Sequence, residues 1–270
     1  MASWGYAKEN GPATWSKAFP IAAGKVQSPI DIKRSLCTLD SALKPIVVDY
    51  TNVEVGELTN TGSSWKAQIT GGKSSLTGGP LNSVFALEQF HAHWGSNDKV
   101  GSEHTIDGAP TSAELHLVHW DTEQFQCFGD AASVRGGLAV LGMMLKVGKA
   151  NPELDKLTKL MAFIPYKSQT VNISEKINCS HFFPANKSYF TYDGSLTTPP
   201  CYESVNWIVF EEPVEVSAQQ LAAFRSLKSY CKSGSCPCDT LAGKIVDNFR
   251  PCCPVNDRKV RAFKEVATNG

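Results

Sequence analysis

Gln89-Phe90-His91-Ala92-His93-Trp94-Gly95 sets two histidines two residues apart in a stretch of apolar and aromatic residues. In a β-strand, side chains at i and i+2 point to one face. His91 and His93 then stand about 6–7 Å apart along the strand, at ~3.3 Å per residue, which suits two imidazoles on one metal ion. Downstream, Glu114-Leu115-His116-Leu117-Val118-His119-Trp120 has the same character. Glu114, His116 and Val118 share one face of that strand, and Leu115, Leu117 and His119 share the other. If the two strands pair, His91, His93 and His116 form a three-histidine site. A structural zinc takes four protein ligands, whereas a catalytic zinc keeps one position open for water.

The rest of the chain reads as more of the same architecture. Short β-rich runs at Ile46-Val47-Val48, Val53-Glu54-Val55 and residues 65–69 alternate with Gly, Asn and Ser, the pattern of strands and turns. Residues 138–147 form another apolar strand, and residues 205–210 a buried one. Two helices are expected. One spans residues 152–161, with Leu154, Leu157, Leu160 and Met161 at helical period. The other spans residues 217–227, with Ser217 as N-cap and Leu221, Phe224 and Leu227 on one face. Residues 4–32 are rich in Gly, Pro and aromatics without a helical period. They read as an irregular arm held down by its aromatics. No repeat, low-complexity tract or linker interrupts the chain. The expectation is a mostly β single domain over residues 1–270. It is built on a large twisted, mainly antiparallel sheet with a few short surface helices.

Lys plus Arg equals Asp plus Glu at 26 each, so charge gives no reason to expect nucleic acid or an anionic membrane as partner. No apolar run approaches the ~18 residues of a membrane span. Met1-Ala2-Ser3-Trp4 has neither the basic head nor the apolar core of a signal peptide. Nine cysteines is an odd number, which leaves at least one unpaired and fits a reducing compartment. Three Asn-x-Ser triplets, at Asn172, Asn178 and Asn186, matter only in the secretory path. A cytoplasmic protein is expected.

The segments QFHAHWG, GSEHTIDG, AELHLVHW, GGLAVLGMMLKVG, GSLTTPP and NFRP stand here in the order and spacing of the α-class carbonic anhydrases. The likeness runs from Trp4 to about Phe263. It implies one Zn2+ per chain on His91, His93 and His116, and reversible hydration of carbon dioxide to bicarbonate and a proton by zinc-bound hydroxide. Three neutral histidines leave the full charge of zinc on its water, whose pKa falls from near 16 to about 7. Small anions and sulfonamides are then the expected inhibitors. Secreted relatives usually carry a cysteine before the QSP triplet, bonded to one after TTPP. Cys201 is present here but residues 19–26 hold no cysteine, so the resemblance points to a cytosolic member, and a monomer is expected. The Cys-x-Cys stretch before NFRP is similar to arthropod-like cytosolic members.

The resemblance also assigns roles around the metal. Gln89 would hold His91, Glu114 would hold His116, and the backbone of Asn248 would hold His93. For Gln89 and Glu114 the spacing agrees, since each stands two residues before its histidine on the same strand face. Thr197 matches the gatekeeper that accepts the hydroxide's proton, with Glu103 accepting the threonine's own. Thr198 matches a bicarbonate contact. Val118, Val140, Leu196 and Trp207 match the apolar wall for carbon dioxide. His104 and His119 match buried structural histidines.

Two departures from the family stand out. Many fast relatives carry a proton-shuttling histidine where this chain has Ser63, and serine does not titrate near neutral pH. Proton export would then run through water and external buffer, with Tyr6, Thr61 and Lys66 at the rim as candidate aids. The second departure is the crowding of Cys231, Cys236, Cys238, Cys252 and Cys253, either free thiols or a soft-metal or redox site. The alternative function is a catalytically silent zinc- or protein-binding module on the same fold. Silent relatives usually lose a ligand histidine, and this chain keeps all three.

Overall fold

The computed structural model describes residues 4–265, and strands dominate it. They are β1 (Asp31–Ile32), β2 (Thr38–Leu39), β3 (Ile46–Asp49), β4 (Glu54–Asn60), β5 (Trp65–Gly71), β6 (Ser75–Gly78), β7 (Phe85–Trp94), β8 (Thr105–Ile106), β9 (Ala113–Asp121), β10 (Leu138–Val147), β11 (Thr170–Asn172), β12 (Tyr189–Gly194), β13 (Val205–Phe210), β14 (Val214–Val216) and β15 (Arg261–Phe263). Thirteen of them make one sheet in the order β11-β4-β5-β7-β9-β10-β13-β12-β15-β2. β14 pairs with β10, and β3 reaches the sheet through β6 and β7. β1 and β8 form a separate parallel pair.

Most neighbours in the large sheet run antiparallel, as the sequence led one to expect. Its middle is mixed, with β10 parallel to β13 and to β14, and at one edge β15 runs parallel to β2. A parallel pair needs a long crossover. Here the segment between β10 and β13 supplies it.

β10 shows why its sequence lacks alternation. Leu138 through Leu145 are all buried. Ala139, Leu141, Met143 and Leu145 enter one apolar cluster, while Leu138, Val140 and Met144 enter a second on the opposite face. A strand covered on both faces reads as a continuous apolar run. Burying each Leu, Val or Met contributes roughly 1.5–3 kcal/mol. The histidines and the acidic residues of the site lie on the face of the second cluster.

Helices are few. α1 (Phe128–Ala131) is one turn, α2 spans Pro152–Leu160 and α3 spans Ala218–Arg225. Asn151 caps α2 by accepting from the backbone of Glu153 and Leu154. Ser217 and Gln220 form a reciprocal capping box on α3. Leu154 and Leu157 of α2, and Leu221 and Phe224 of α3, are buried in the first cluster. The amino-terminal arm holds two short 3-10 helices, Pro12–Lys17 and Pro20–Ala23, where the sequence shows no helical period. Trp4, Tyr6 and Trp15 pack edge to face, which pins the arm. Arg250 pins its other end, donating to Gln27 Oε1 and to the carbonyls of Ser28 and Ala22.

Candidate active site

Strand register builds the site in three rows. Directly opposed residues in a sheet share a face. His93 faces Glu114, which faces Met144. Lys66 faces His91, which faces His116, which faces Gly142. Gln68 faces Gln89, then Val118, Val140 and Trp207 follow in line. A bulge between Leu87 and Gln89 puts Gln89 opposite Val118. His119, on the other face, bonds Tyr50 and the carbonyl of Ala139 in the core.

Each histidine of the trio has one nitrogen committed to an acceptor. His91 Nδ1 donates to Gln89 Oε1 at 2.9 Å and His93 Nδ1 to the Asn248 carbonyl at 2.7 Å. His116 uses its other nitrogen, Nε2, on Glu114 Oε1 at 2.8 Å. The free atoms are therefore His91 Nε2, His93 Nε2 and His116 Nδ1. The three residues can present ligand atoms that all lie within 4.8 Å of one another.

Electrostatics favour neutral rings. Burial first, then the neighbouring histidines and Lys66, hold His91 well below the usual imidazole pKa. Burial holds His93 at about 4 and lowers His116 against the pull of Glu114. Neutral imidazole is the form that ligates a metal. His93 Nε2 is buried and has no hydrogen-bond partner, a costly state unless something else takes its lone pair. Two buried carboxyl groups, Glu103 and Glu114, stand close by, and Glu114 is held in its charged form. The donor set and its surroundings fit a divalent zinc with three protein ligands.

Glu114 serves more than His116. Its Oε1 also accepts from His104 Nδ1 at 2.7 Å, and its Oε2 accepts from the backbone N–H groups of Glu103 and His104. Burial alone would raise Glu114, but His104 and His116 outweigh it and hold the carboxyl well below its ordinary range. The second convergent group, His104 with Glu114 and His116, is thus a hydrogen-bonded chain with its facing atoms already used.

Glu103 Oε1 accepts the backbone N–H of Arg250 at 2.8 Å. Burial pushes its carboxyl up to about 7, offset by His116, Thr197 and Arg250. Thr197 is buried in the loop after β12, within hydrogen-bonding influence of Glu103. Glu103 Oε2 lies 3.3 Å from His93 Nε2 without a hydrogen bond. Thr198 is half-buried, its carbonyl accepting from Cys201. Val118, Val140 and Trp207 belong to the second apolar cluster, and Leu196 packs against it.

Residues 10–264 match the family model of eukaryotic-type carbonic anhydrase. The chain belongs to that family. Carbonic anhydrases are zinc enzymes that hydrate carbon dioxide, and His91, His93 and His116 form a group that could hold a metal ion.

A cavity of about 800 Å3 is walled by Trp4, Tyr6, Thr61, Ser63, Pro200 and Asn248, and Asn248 joins it to the histidine cluster through its carbonyl, which accepts from His93. Ser63 sits in a turn closed by the Thr61 N–H to Ser64 carbonyl bond, and Asn248 Nδ2 donates to the Ser63 carbonyl. Burial, then the charge of Glu103, raises the Tyr6 phenol well above its ordinary pKa, so it remains a donor. All nine cysteines are free, and among the described residues neither convergent ligand group contains one; Cys252 Sγ donates to the Glu103 carbonyl at 3.5 Å. No helix among the described residues is long and apolar enough to cross a membrane.

Two contributors carried little sequence signal. Gly142 faces His116, and its only trace was an undistinguished glycine inside an apolar strand. Arg250, in the NFRP motif, joins Glu103 to the arm.

Proposed function

We propose that this chain is an active carbonic anhydrase, with one zinc held by His91 Nε2, His93 Nε2 and His116 Nδ1. The observation that carries the reading is the convergence of three neutral imidazoles whose other nitrogens are already bonded. When bound, zinc supplies an acidity that makes hydroxide available at neutral pH, the nucleophile toward carbon dioxide.

The protein's own groups do the rest. Thr197 Oγ1 accepts a hydrogen bond from the nucleophile and donates its own to the Glu103 carboxylate, which orients the nucleophile toward the apolar wall. Val118, Val140, Leu196 and Trp207 hold the uncharged substrate there and exclude water. Thr198 contacts the bicarbonate product. Gln89, Glu114 and the Asn248 carbonyl keep the three rings oriented. With Ser63 at the usual shuttle position, protons leave through water to external buffer past Tyr6, Thr61 and Lys66. We read the chain, residues 1–270, as one catalytic domain acting as a cytoplasmic monomer and blocked by sulfonamides.

Stopped-flow hydration of carbon dioxide by the zinc-loaded protein, with and without chelator, tests this. Turnover that vanishes on chelation and returns with one zinc per chain is expected. A fully loaded protein that stays inert would leave the silent-module reading in its place.

A further inference from the structure

Lys66 is a cationic side chain on the sheet face that carries His91 and His116. It lies directly opposite His91 across the β5–β7 pair, in the same row as His116. It is half-buried. Arg34, Arg225, Arg261 and Lys264 each pair with a carboxylate, but among the described residues no carboxylate lies within salt-bridge distance of Lys66. Its neighbours have their own partners. Thr59, opposite it on β4, bonds Thr170. Gln68 donates to Glu88, and Gln89 accepts from His91. A positive charge one strand from His91, with no carboxylate in contact with it, is a place for an anion.

We propose that Lys66 is the anchor for the anionic side of the reaction: it holds bicarbonate, and other small monovalent anions, beside His91. This rests on the reading of the chain as a carbonic anhydrase. Carbon dioxide carries no charge, so the ammonium discriminates between the two carbon species. It strengthens binding of one and leaves the other alone. Removing it should weaken anions by about fivefold, the scale of a partly screened charge pair.

The test uses the zinc-loaded protein and the variants Lys66→Met and Lys66→Arg. Calorimetric titration with thiocyanate at fixed ionic strength gives an affinity independent of turnover. Steady-state kinetics in both directions give the KM values. Lys66→Met should raise the thiocyanate Kd and the bicarbonate KM about fivefold. The overall equilibrium ties the two directions together, so any change in kcat/KM for bicarbonate must be matched by an equal change in kcat/KM for carbon dioxide. Lys66→Arg should restore both anion values. Unchanged anion affinity in Lys66→Met overturns the proposal. So does an arginine variant as weak as the methionine one, because that marks a packing role. If the wild-type protein proves inert toward carbon dioxide, the carbonic anhydrase reading fails, and the thiocyanate titration still decides the role of Lys66.

Discussion

A Cβ placed on Gly142 would stand 3.1 Å from Glu114 Oε1, the oxygen that holds both His116 and His104. The strand beside the metal ligand has no side chain where the orienting carboxylate sits. The other nearest atoms, on Val209 and Trp207, lie at 3.5 and 3.7 Å, ordinary contact distance. A methyl group here therefore presses on Glu114 more than on the fold. Gly142→Ala should weaken zinc binding about tenfold, the lower end of what disturbing such a hydrogen bond costs. Gly142→Val should weaken it further. Chelator competition measures the effect, and an alanine variant that holds zinc as tightly as wild type would refute the steric argument.

Asn248 joins three parts of the site at once. Its carbonyl holds His93, its Oδ1 accepts the Trp94 N–H at 2.8 Å, and its Nδ2 donates to the Ser63 carbonyl at 2.9 Å. Asn248→Ala keeps the backbone carbonyl and strands two buried or half-buried backbone groups. Each unsatisfied buried group costs about 1–3 kcal/mol. The variant should lose about 2 kcal/mol or more of stability in urea unfolding, with a smaller change in zinc affinity. A variant as stable as wild type would show that water or a shifted loop satisfies both groups.

The acid response should be steep and in part traceable to His119. Its imidazole is fully buried, accepts from Tyr50 and donates to the Ala139 carbonyl, and burial drives its pKa down to about 3. The unfolded value is near 6.5. The native state thus binds fewer protons than the unfolded state between these limits. Its contribution is complete above pH ~6.5 and falls as pH drops toward about 3, by roughly 1.4 kcal/mol per unit. His119→Gln can keep both hydrogen bonds without titrating. Unfolding free energies of the two zinc-loaded proteins, measured from pH 7 to pH 4, should converge as pH falls. Parallel curves would mean that His119 does not drive the loss.

Part of this organisation was legible before the fold, and the reasons differ from residue to residue. The two-residue spacing in His91-Ala92-His93 and Glu114-Leu115-His116 is local, so strand geometry alone puts those side chains on shared faces. The helix caps Asn151 and Ser217 act within one turn; Ser217 was readable because its helical period follows at once. The parallel pairing of β10 with β13 was not readable, because it depends on register between strands far apart in sequence. Gly142 was silent for a similar reason: its need for no side chain comes from a carboxylate on the next strand. The 3-10 turns of the arm bond at i to i+3 and leave no 3.6-residue period to detect. The link from Thr197 to Glu103 came from family likeness, since nothing in their spacing brings them together.

Ser63 offers the sharpest kinetic test. It borders the cavity of about 800 Å3, so a larger side chain has room. Its turn is held by the Thr61 N–H to Ser64 carbonyl bond and by Asn248 Nδ2 on the Ser63 carbonyl, neither of which uses the serine hydroxyl; the hydroxyl's own contact is with Thr61 Oγ1 at 3.2 Å. The neighbouring Gly62 has φ +87° and would clash with Lys167 if given a Cβ, so the turn itself should be left intact. Wild-type turnover in dilute buffer should rise with imidazole concentration and then saturate, because external base removes the proton. Ser63→His should raise low-buffer kcat about tenfold, a modest return for positioned acid–base catalysis. It should also flatten the imidazole dependence. kcat/KM for carbon dioxide should not change, since proton export follows the carbon step. The gain should grow as pH rises through the histidine's pKa near 6.5, where the ring becomes able to accept a proton. If imidazole has no effect and the new histidine adds nothing, proton transfer does not limit this enzyme, and the missing shuttle is without consequence.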